Sequence, residues 1–377
     1  MTYPYLSIDL AKIEHNARVI VGLCKEHGIA VTGVTKVVRG DPDIARAMLR
    51  GGVVSIADSR FENLHRLREG GVPEPYLLLR LPPLSGVDQA VELAGLSLES
   101  EPAVLEALSE AALRRDQVHQ VILMVELGDL REGLWPEDLI PLVDEALALP
   151  GIHIAGLGAN LACLGGVMPS EANMRRLVDL AEAMEDHFGL RLDWISGINS
   201  SGLDLIVSGR MPPRVNHARI GEAILLGRET TRRHPWPGTF QDAFRLHAEV
   251  LEVKRKPTSP LGERGEDAFG HVPPVEDGGE SWRALLNLGR QDVAVEGLTP
   301  ADPRLRITGA SSDYLVLDVS AAGEGEIKVG TVVDFHPNYA ALLAAMTSEY
   351  VKKERAGRDS ARSSRQFMKW GFMNSDD

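Results

Sequence analysis

From Ile29 to Arg219 the sequence alternates short apolar runs with longer helical patterns, eight times over. The runs are IAVTGVT (29–35), VVSIA (53–57), YLLLR (76–80), LSLES (96–100), QVILMVEL (120–127), IHIAGLG (152–158), LDWISGI (192–198) and RVNHARI (214–220). Between them lie amphipathic spacings. Leu105, Leu108 and Ala112 follow Pro102 at a first-turn position. Met174, Leu177, Ala181, Met184 and Phe188 run up to Gly189, a suitable C-terminal cap. Ahead of the first run, Leu10, Ile13, Ala17, Ile20 and Cys24 mark one more such helix, with Asp9 as its cap. Strands that alternate with helices pair in parallel, and eight such units predict a closed (β/α)8 barrel of the TIM type. An open doubly wound sheet is the competing arrangement.

The pattern changes after TTRRHPWPGTF (230–240), a loop rich in proline and charge. FRLHAEVLEV, RALLNLG, YLVLDV and IKVGTVVDF then read as strands, and only YAALLAAM has helical spacing. The expected organisation is a barrel domain over 1–235, a smaller, mainly β C-terminal domain over 236–355, and a polar, disordered tail over 356–377. A formal net charge of −14 argues against nucleic acid as a partner, because phosphates require a basic face. No apolar run approaches the roughly 20 residues of a membrane span, and the start lacks the order of a signal peptide. Cys24 and Cys163 are the only cysteines, too few for a disulfide framework, so a cytoplasmic protein is expected.

Barrels of this kind keep their chemistry at the C-terminal ends of the strands, with phosphate commonly on the loops after strands seven and eight. Lys36 directly ends the first run. The seventh leads into Asn199, Ser200, Ser201 and Gly202, which can offer hydroxyls and backbone N–H groups. The eighth ends in Arg219-Ile220-Gly221-Glu222-Ala223, where Gly221 lets the backbone approach an anion. Taken singly, a lysine at a strand end is usually solvated surface, and NSSG is a common turn. One amine and two anion-friendly loops on the same face are more telling. A positioned lysine forms Schiff bases, and a phosphate opposite it makes pyridoxal 5′-phosphate the natural cofactor. No metal site is expected.

The order of GVTKVVRGDP (33–42), ADSRFENL (57–64), VELGDLREG (125–133), NSSG (199–202), ARIGEAILLGRET (218–230), GRQD (289–292), GASSDYLVLDV (309–319) and NYAALLAAMTSEYV (338–351) resembles the alanine racemase superfamily of fold-type III pyridoxal-phosphate enzymes, and within it the ornithine racemase branch. The likeness spans about residues 5–352. It implies that Lys36 carries the cofactor and acts as one of two proton-transfer bases. It also implies that Ser200, the backbone at Ser201, Gly221 and Glu222, and the Tyr339 hydroxyl hold the phosphate. Arg219 would face the pyridine nitrogen, and Arg131 the substrate carboxylate.

Three positions depart from the resemblance. Asn160 stands where a histidine lies near the cofactor ring, so Asn160 is the expected ring neighbour. Met124 replaces a lysine that is often carbamylated. Phe269, in EDAFGH (266–271), replaces the tyrosine that a partner subunit supplies as second base, and phenylalanine cannot move a proton. Asp267, His271, Ser312, Asp313 and Tyr314 remain as groups that the β domain of a head-to-tail homodimer would bring to the cofactor. His271, with an ordinary pKa near 6.5, is the preferred base, and Ser312 and Asp313 are expected near the substrate. Asp267 would need its pKa raised by burial. The expected reaction is two-base racemisation of a free α-amino acid, ornithine or another basic one by resemblance. An acidic set, Asp267, Glu276, Asp277, Asp292 and Asp313, could receive a side-chain ammonium. The alternatives are an amino-acid decarboxylase, an aldolase, or a non-catalytic protein that binds the cofactor.

Overall fold

The computed structural model describes residues 3–272, 278–323 and 325–355; Glu276, Asp277 and the tail 356–377 lie outside the described residues. The chain divides into two compact units. One is Leu10–Gln241, and the other joins the strand Tyr5–Ile8 to the chain from Asp242 onward.

After β1 (Tyr5–Ile8) and α1 (Leu10–Glu26), the first unit runs through β2 (Ala30–Val34), β3 (Ser55–Asp58), β4 (Tyr76–Leu78), β5 (Leu96–Glu99), β6 (His119–Met124), β7 (Ile152–Gly158), β8 (Trp194–Ser196) and β9 (His217–Ile220). Each falls inside or within a residue of one of the eight apolar runs. The strands pair in parallel in the order β8-β7-β6-β5-β4-β3-β2-β9. A parallel bridge between Ile198 and Ala218 joins the two ends, and the Arg219 amide donates to Ile198 O at 2.9 Å. That closes the barrel and removes the open-sheet alternative. Val34, Ala57, Leu77, Leu98, Ile122 and Met124, from five successive strands, form one buried cluster. Their strand neighbours, two apart, therefore share the interior, and the alternate residues face outward.

The connecting helices are α2 (Pro42–Arg50), α3 (Phe61–Glu69), α4 (Val87–Leu93), α5 (Pro102–Arg114), α6 (Leu139–Leu147), α7 (Glu171–Phe188), α8 (Leu203–Val207) and α9 (Glu222–Leu226). α5 starts at Pro102 and buries Leu105, Leu108 and Ala112. α7 is held at its start by a capping box between Ser170 and Asn173, and ends at Gly189 in the left-handed region, φ 65°.

In the second unit β10 (Phe244–Pro257) is the spine, burying Phe244, Leu246, Ala248 and Val250 on one face. With β11 (Glu280–Leu286), β12 (Leu298–Pro300), β13 (Arg306–Ala310), β14 (Leu315–Asp318) and β15 (Val332–Pro337) it forms the order β12-β15-β10-β11-β14-β13. α10 (Tyr339–Thr347) follows, and β16 (Lys352–Arg355) pairs with β1. The periodicity missed β1, β12, β13 and β16, each five residues or fewer and too short to alternate visibly.

The boundary differs from the expected split at 235/236. β1 pairs antiparallel with β10, Ile8 opposite Phe244, and so belongs with the β unit rather than the barrel. Residues 236–241 go the other way. Buried Asn16 on α1 donates to Phe240 O at 2.8 Å and accepts from the Phe240 amide at 2.7 Å, which ties that stretch to the barrel. Among the described residues no helix is long and apolar enough to cross a membrane, and no group of three metal-ligating side chains forms.

Candidate active site

Lys36 follows β2 directly and starts a short 3-10 turn, with its side chain exposed. What fixes it is its neighbour. Thr35 is fully buried, and its hydroxyl donates to Asp58 Oδ2 at 2.7 Å. The other oxygen of Asp58 accepts from Asn63 Nδ2 at 2.8 Å and from the amides of Ser59 and Arg60. Burial raises the Asp58 pKa above the ordinary carboxylate value, against these bonds. The ends of β2 and β3 are thus bolted together behind the lysine.

Inside the barrel a polar chain climbs to Arg219. Its Nη1 donates to Ser196 O at 2.8 Å and to Ser196 Oγ, and Nη2 donates to Ala159 O at 2.8 Å. Ser196 Oγ lies 2.8 Å from His217 Nδ1, His217 Nε2 lies 2.8 Å from Thr32 Oγ1, and Thr32 Oγ1 lies 2.7 Å from Ser55 Oγ. Guanidinium can only donate, so Ser196 Oγ accepts from it and its own hydrogen is free for His217 Nδ1. That places the imidazole hydrogen on Nε2, directed at Thr32. Burial, reinforced by the charge of Arg219, pushes His217 down to about 3, so the ring is neutral. Burial also lowers Arg219, to about 10, which leaves it charged at neutral pH.

The two expected phosphate loops are joined. Ser200 Oγ accepts from the Ala223 amide at 3.2 Å, linking the turn after β8 to α9. Asn199 Oδ1 accepts from the Ser201 amide at 2.8 Å, and its Nδ2 donates to Leu161 O at 2.8 Å and Asn160 Oδ1 at 3.1 Å. Asn160 Nδ2 in turn points at Cys163 Sγ, 3.1 Å away. A Cβ on Gly221 would sit 3.0 Å from Val34 O, so a side chain there would crowd the strand end that carries Lys36. The Glu222 side chain turns to Arg233 instead, and burial raises its pKa. Only its backbone remains for an anion.

After β6 the chain loops over 126–133 around Glu126, whose carboxylate accepts from the amides of Gly128 and Arg131. Asp129 accepts from the amides of Cys163, Leu164 and Val167, tying this loop to the one after β7. Arg131 forms a two-pronged pair with Glu132, Nη2 to Oε1 at 2.6 Å and Nε to Oε2 at 2.5 Å. Asp58, Ser196, His217 and Glu132 escaped the sequence reading. Asp58 had a signal in its place at a strand end, and His217 in being a basic residue within an apolar run.

Within the second unit three motifs meet. The Arg290 and Gln291 amides donate to Ser311 O and Ser312 O, which lays GRQD against GASSD. A Cβ on Gly289 would lie 2.1 Å from Ser312 O, so only glycine fits. The Arg290 guanidinium stands 5.0 Å over the Phe269 ring. Ser312 Oγ donates to Asp313 Oδ2 at 2.7 Å, and Gln291 donates to Asp313 Oδ1 at 3.0 Å. Asp267 Oδ1 accepts from the amides of Phe269 and His271, which hold its carboxyl below the ordinary range. Asp267 is exposed, and lowering is the opposite of what a base there would need. His271 is exposed, and Tyr339 is half-buried at the start of α10.

The model of the alanine racemase N-terminal domain matches residues 8–229. The chain belongs to the alanine racemase family. It is 42% identical to an ornithine racemase of Acetoanaerobium sticklandii over 93% of this chain and 99% of that protein. It is 39% identical to a lysine racemase of Thermotoga maritima over 94% and 98%. An alanine racemase of Streptomyces coelicolor superposes with a TM-score of 0.73 at 20% identity, over 94% of this chain and 98% of that one, a likeness of fold. The protein is a pyridoxal-phosphate-dependent amino-acid racemase. The donor set fits that cofactor: an exposed amine, a guanidinium held on the barrel wall, and two joined loops around a glycine whose side-chain space is crowded by the strand end that carries the amine.

Proposed function

We propose that the enzyme inverts the α-carbon of a free basic amino acid, ornithine or lysine, at the C-terminal mouth of its barrel. The observation that carries this is the placement of Lys36 just past the end of β2 and of Arg219 on the neighbouring β9, the lysine exposed and the arginine locked. The names of the two similar racemases support the substrate class. Pyridoxal phosphate, when bound, supplies the electron sink that makes the α-hydrogen acidic.

The protein's own groups do the rest. Lys36 holds the cofactor, and its amine takes and returns the α-proton on one face. Thr35 and Asp58 keep that amine's backbone fixed. Ser200 and the backbone at Ser201, Gly221 and Glu222 hold the phosphate, and Asn160 borders the ring. Arg219 donates toward the pyridine nitrogen and cannot give up its proton, because Ser196 and Ala159 hold its guanidinium in place and its pKa stays far above neutral. A guanidinium so held would offer a ring nitrogen no proton to take, which would restrain side reactions and suit racemisation. Arg131 receives the substrate carboxylate.

Inversion needs an acid or base on each face. His271, from the β unit of a second copy in a head-to-tail homodimer, supplies the other, with Ser312 and Asp313 near the substrate. Such an enzyme would work in the cytoplasm on soluble amino acids. The test is Lys36→Ala. Wild type should show a visible band that borohydride removes irreversibly, together with racemisation of ornithine or lysine. The variant should lose both and keep its fold by circular dichroism. A variant that keeps the reducible band shows that another lysine carries the cofactor.

A further inference from the structure

A basic substrate brings a second ammonium, and the barrel must have somewhere to put it. Nearly every carboxylate at the strand ends is already committed. Glu126 and Asp129 are saturated by backbone amides. Asp58 holds Thr35 and Asn63, and Glu229 holds the amides of Thr231, Arg232 and His234. Glu222 holds Arg233, and Glu99 is fully buried.

Glu132 differs. Its partner, the Arg131 guanidinium, is 39% exposed and belongs to the preceding residue on the same loop, while the Glu132 side chain is 18% exposed. The pair stands on the loop after β6, at the C-terminal mouth of the barrel, and Asp129 of that loop accepts from the amides of the loop after β7 that carries Asn160. Arg131 is also the group read above as the seat of the substrate carboxylate.

We infer that Glu132 is the receptor for the distal ammonium of the substrate and sets the preference for basic side chains. This rests on the basic-substrate reading. Arg131 and Glu132 are complementary to a molecule carrying a carboxylate at one end and an ammonium at the other. When Arg131 turns to the α-carboxylate, Glu132 turns to the side-chain ammonium, so one ion pair becomes two and no charge is stranded. A neutral side chain would also take Arg131, but it would leave the half-buried Glu132 carboxylate without a cation. Leaving a partly buried charge unpaired is costly, so the device selects against neutral amino acids as well as for basic ones. The β unit offers weaker receptors. Asp267 is occupied by two amides, and Asp313 by Ser312 and Gln291.

The experiment compares ornithine with norvaline, the same chain without the terminal amine, on the cofactor-loaded enzyme. Binding is read from the shift of the visible band and turnover from chiral chromatography. Loss of one charge-assisted bond predicts that Glu132→Gln lowers the preference for ornithine over norvaline, in Kd and in KM, by about tenfold or more. Any general effect on Arg131 acts on both ligands and cancels in the ratio. Glu132→Asp should recover part of the preference. A ratio unchanged in Glu132→Gln, or one that collapses in Asp313→Asn instead, overturns the assignment of Glu132. A wild type that does not prefer ornithine or lysine to norvaline defeats the substrate reading itself.

Discussion

Glu99 offers a stability prediction that the barrel's construction makes quantitative. It lies on the face of β5 opposite Leu98, outside the interior cluster, with the Ser97 hydroxyl donating to its Oε1 at 2.7 Å and no partner for Oε2. Burial raises it to about 8. The native state therefore keeps the proton that the unfolded chain, near 4.5, releases. The stability this group contributes is full below about pH 4.5 and is lost as pH rises through about 8. At about 1.4 kcal/mol per unit, wild type loses about 3 kcal/mol through Glu99 between roughly pH 5 and pH 8. Glutamine keeps the acceptor for Ser97 and has nothing to ionise. Glu99→Gln should then be near neutral at pH 5 and more stable than wild type by about 3 kcal/mol at pH 8. Nearby His119, 2.9 Å from Ser97 Oγ, is pushed down to about 4 by burial. Its contribution is present above about 6.5 and is lost as pH falls toward 4, opposite in sign to that of Glu99. The difference between variant and wild type removes the histidine from the comparison. Urea denaturation followed by circular dichroism at both pH values gives the answer. An equal difference at pH 5 and pH 8 would show that Glu99 is ionised in the folded barrel and refute the reasoning.

Ser200→Ala should weaken pyridoxal phosphate binding about tenfold, the value of one hydrogen bond to a charged group, as read by absorbance titration. An unchanged Kd would remove the hydroxyl from the phosphate site. His271→Ala should slow exchange of the α-hydrogen with solvent deuterium far more for one enantiomer than for the other, because only one face loses its base. Equal slowing of both enantiomers, or none, would exclude His271.

The barrel was legible because its signal is local and repeated. Each strand carries its own apolar run and each helix its own stripe, and both follow from burial on one side of an element. Lys36, Ser200, Arg219 and Gly221 could be singled out for the same reason, since each sits at a fixed offset from a strand end. The short strands β1, β12 and β16 could not be read, because their pairing comes from partners far along the chain, and β13, which pairs with the next strand, is too short to alternate visibly. β1 joins the β unit only because Ile8 finds Phe244. The same holds for the chemistry. Sequence supplied a histidine at 217 and serines at 55 and 196, but only closure of β9 onto β2 and β8 stacks them into one hydrogen-bonded chain under Arg219. A pKa behaves likewise. Glu99 and Glu126 are the same residue type, and the fold buries one carboxylate beside a serine, which raises its pKa, but offsets the burial of the other with backbone amides that lower it. Composition fixes which groups exist, but desolvation and the distance to the next charge fix what they do, and both are properties of the packed chain.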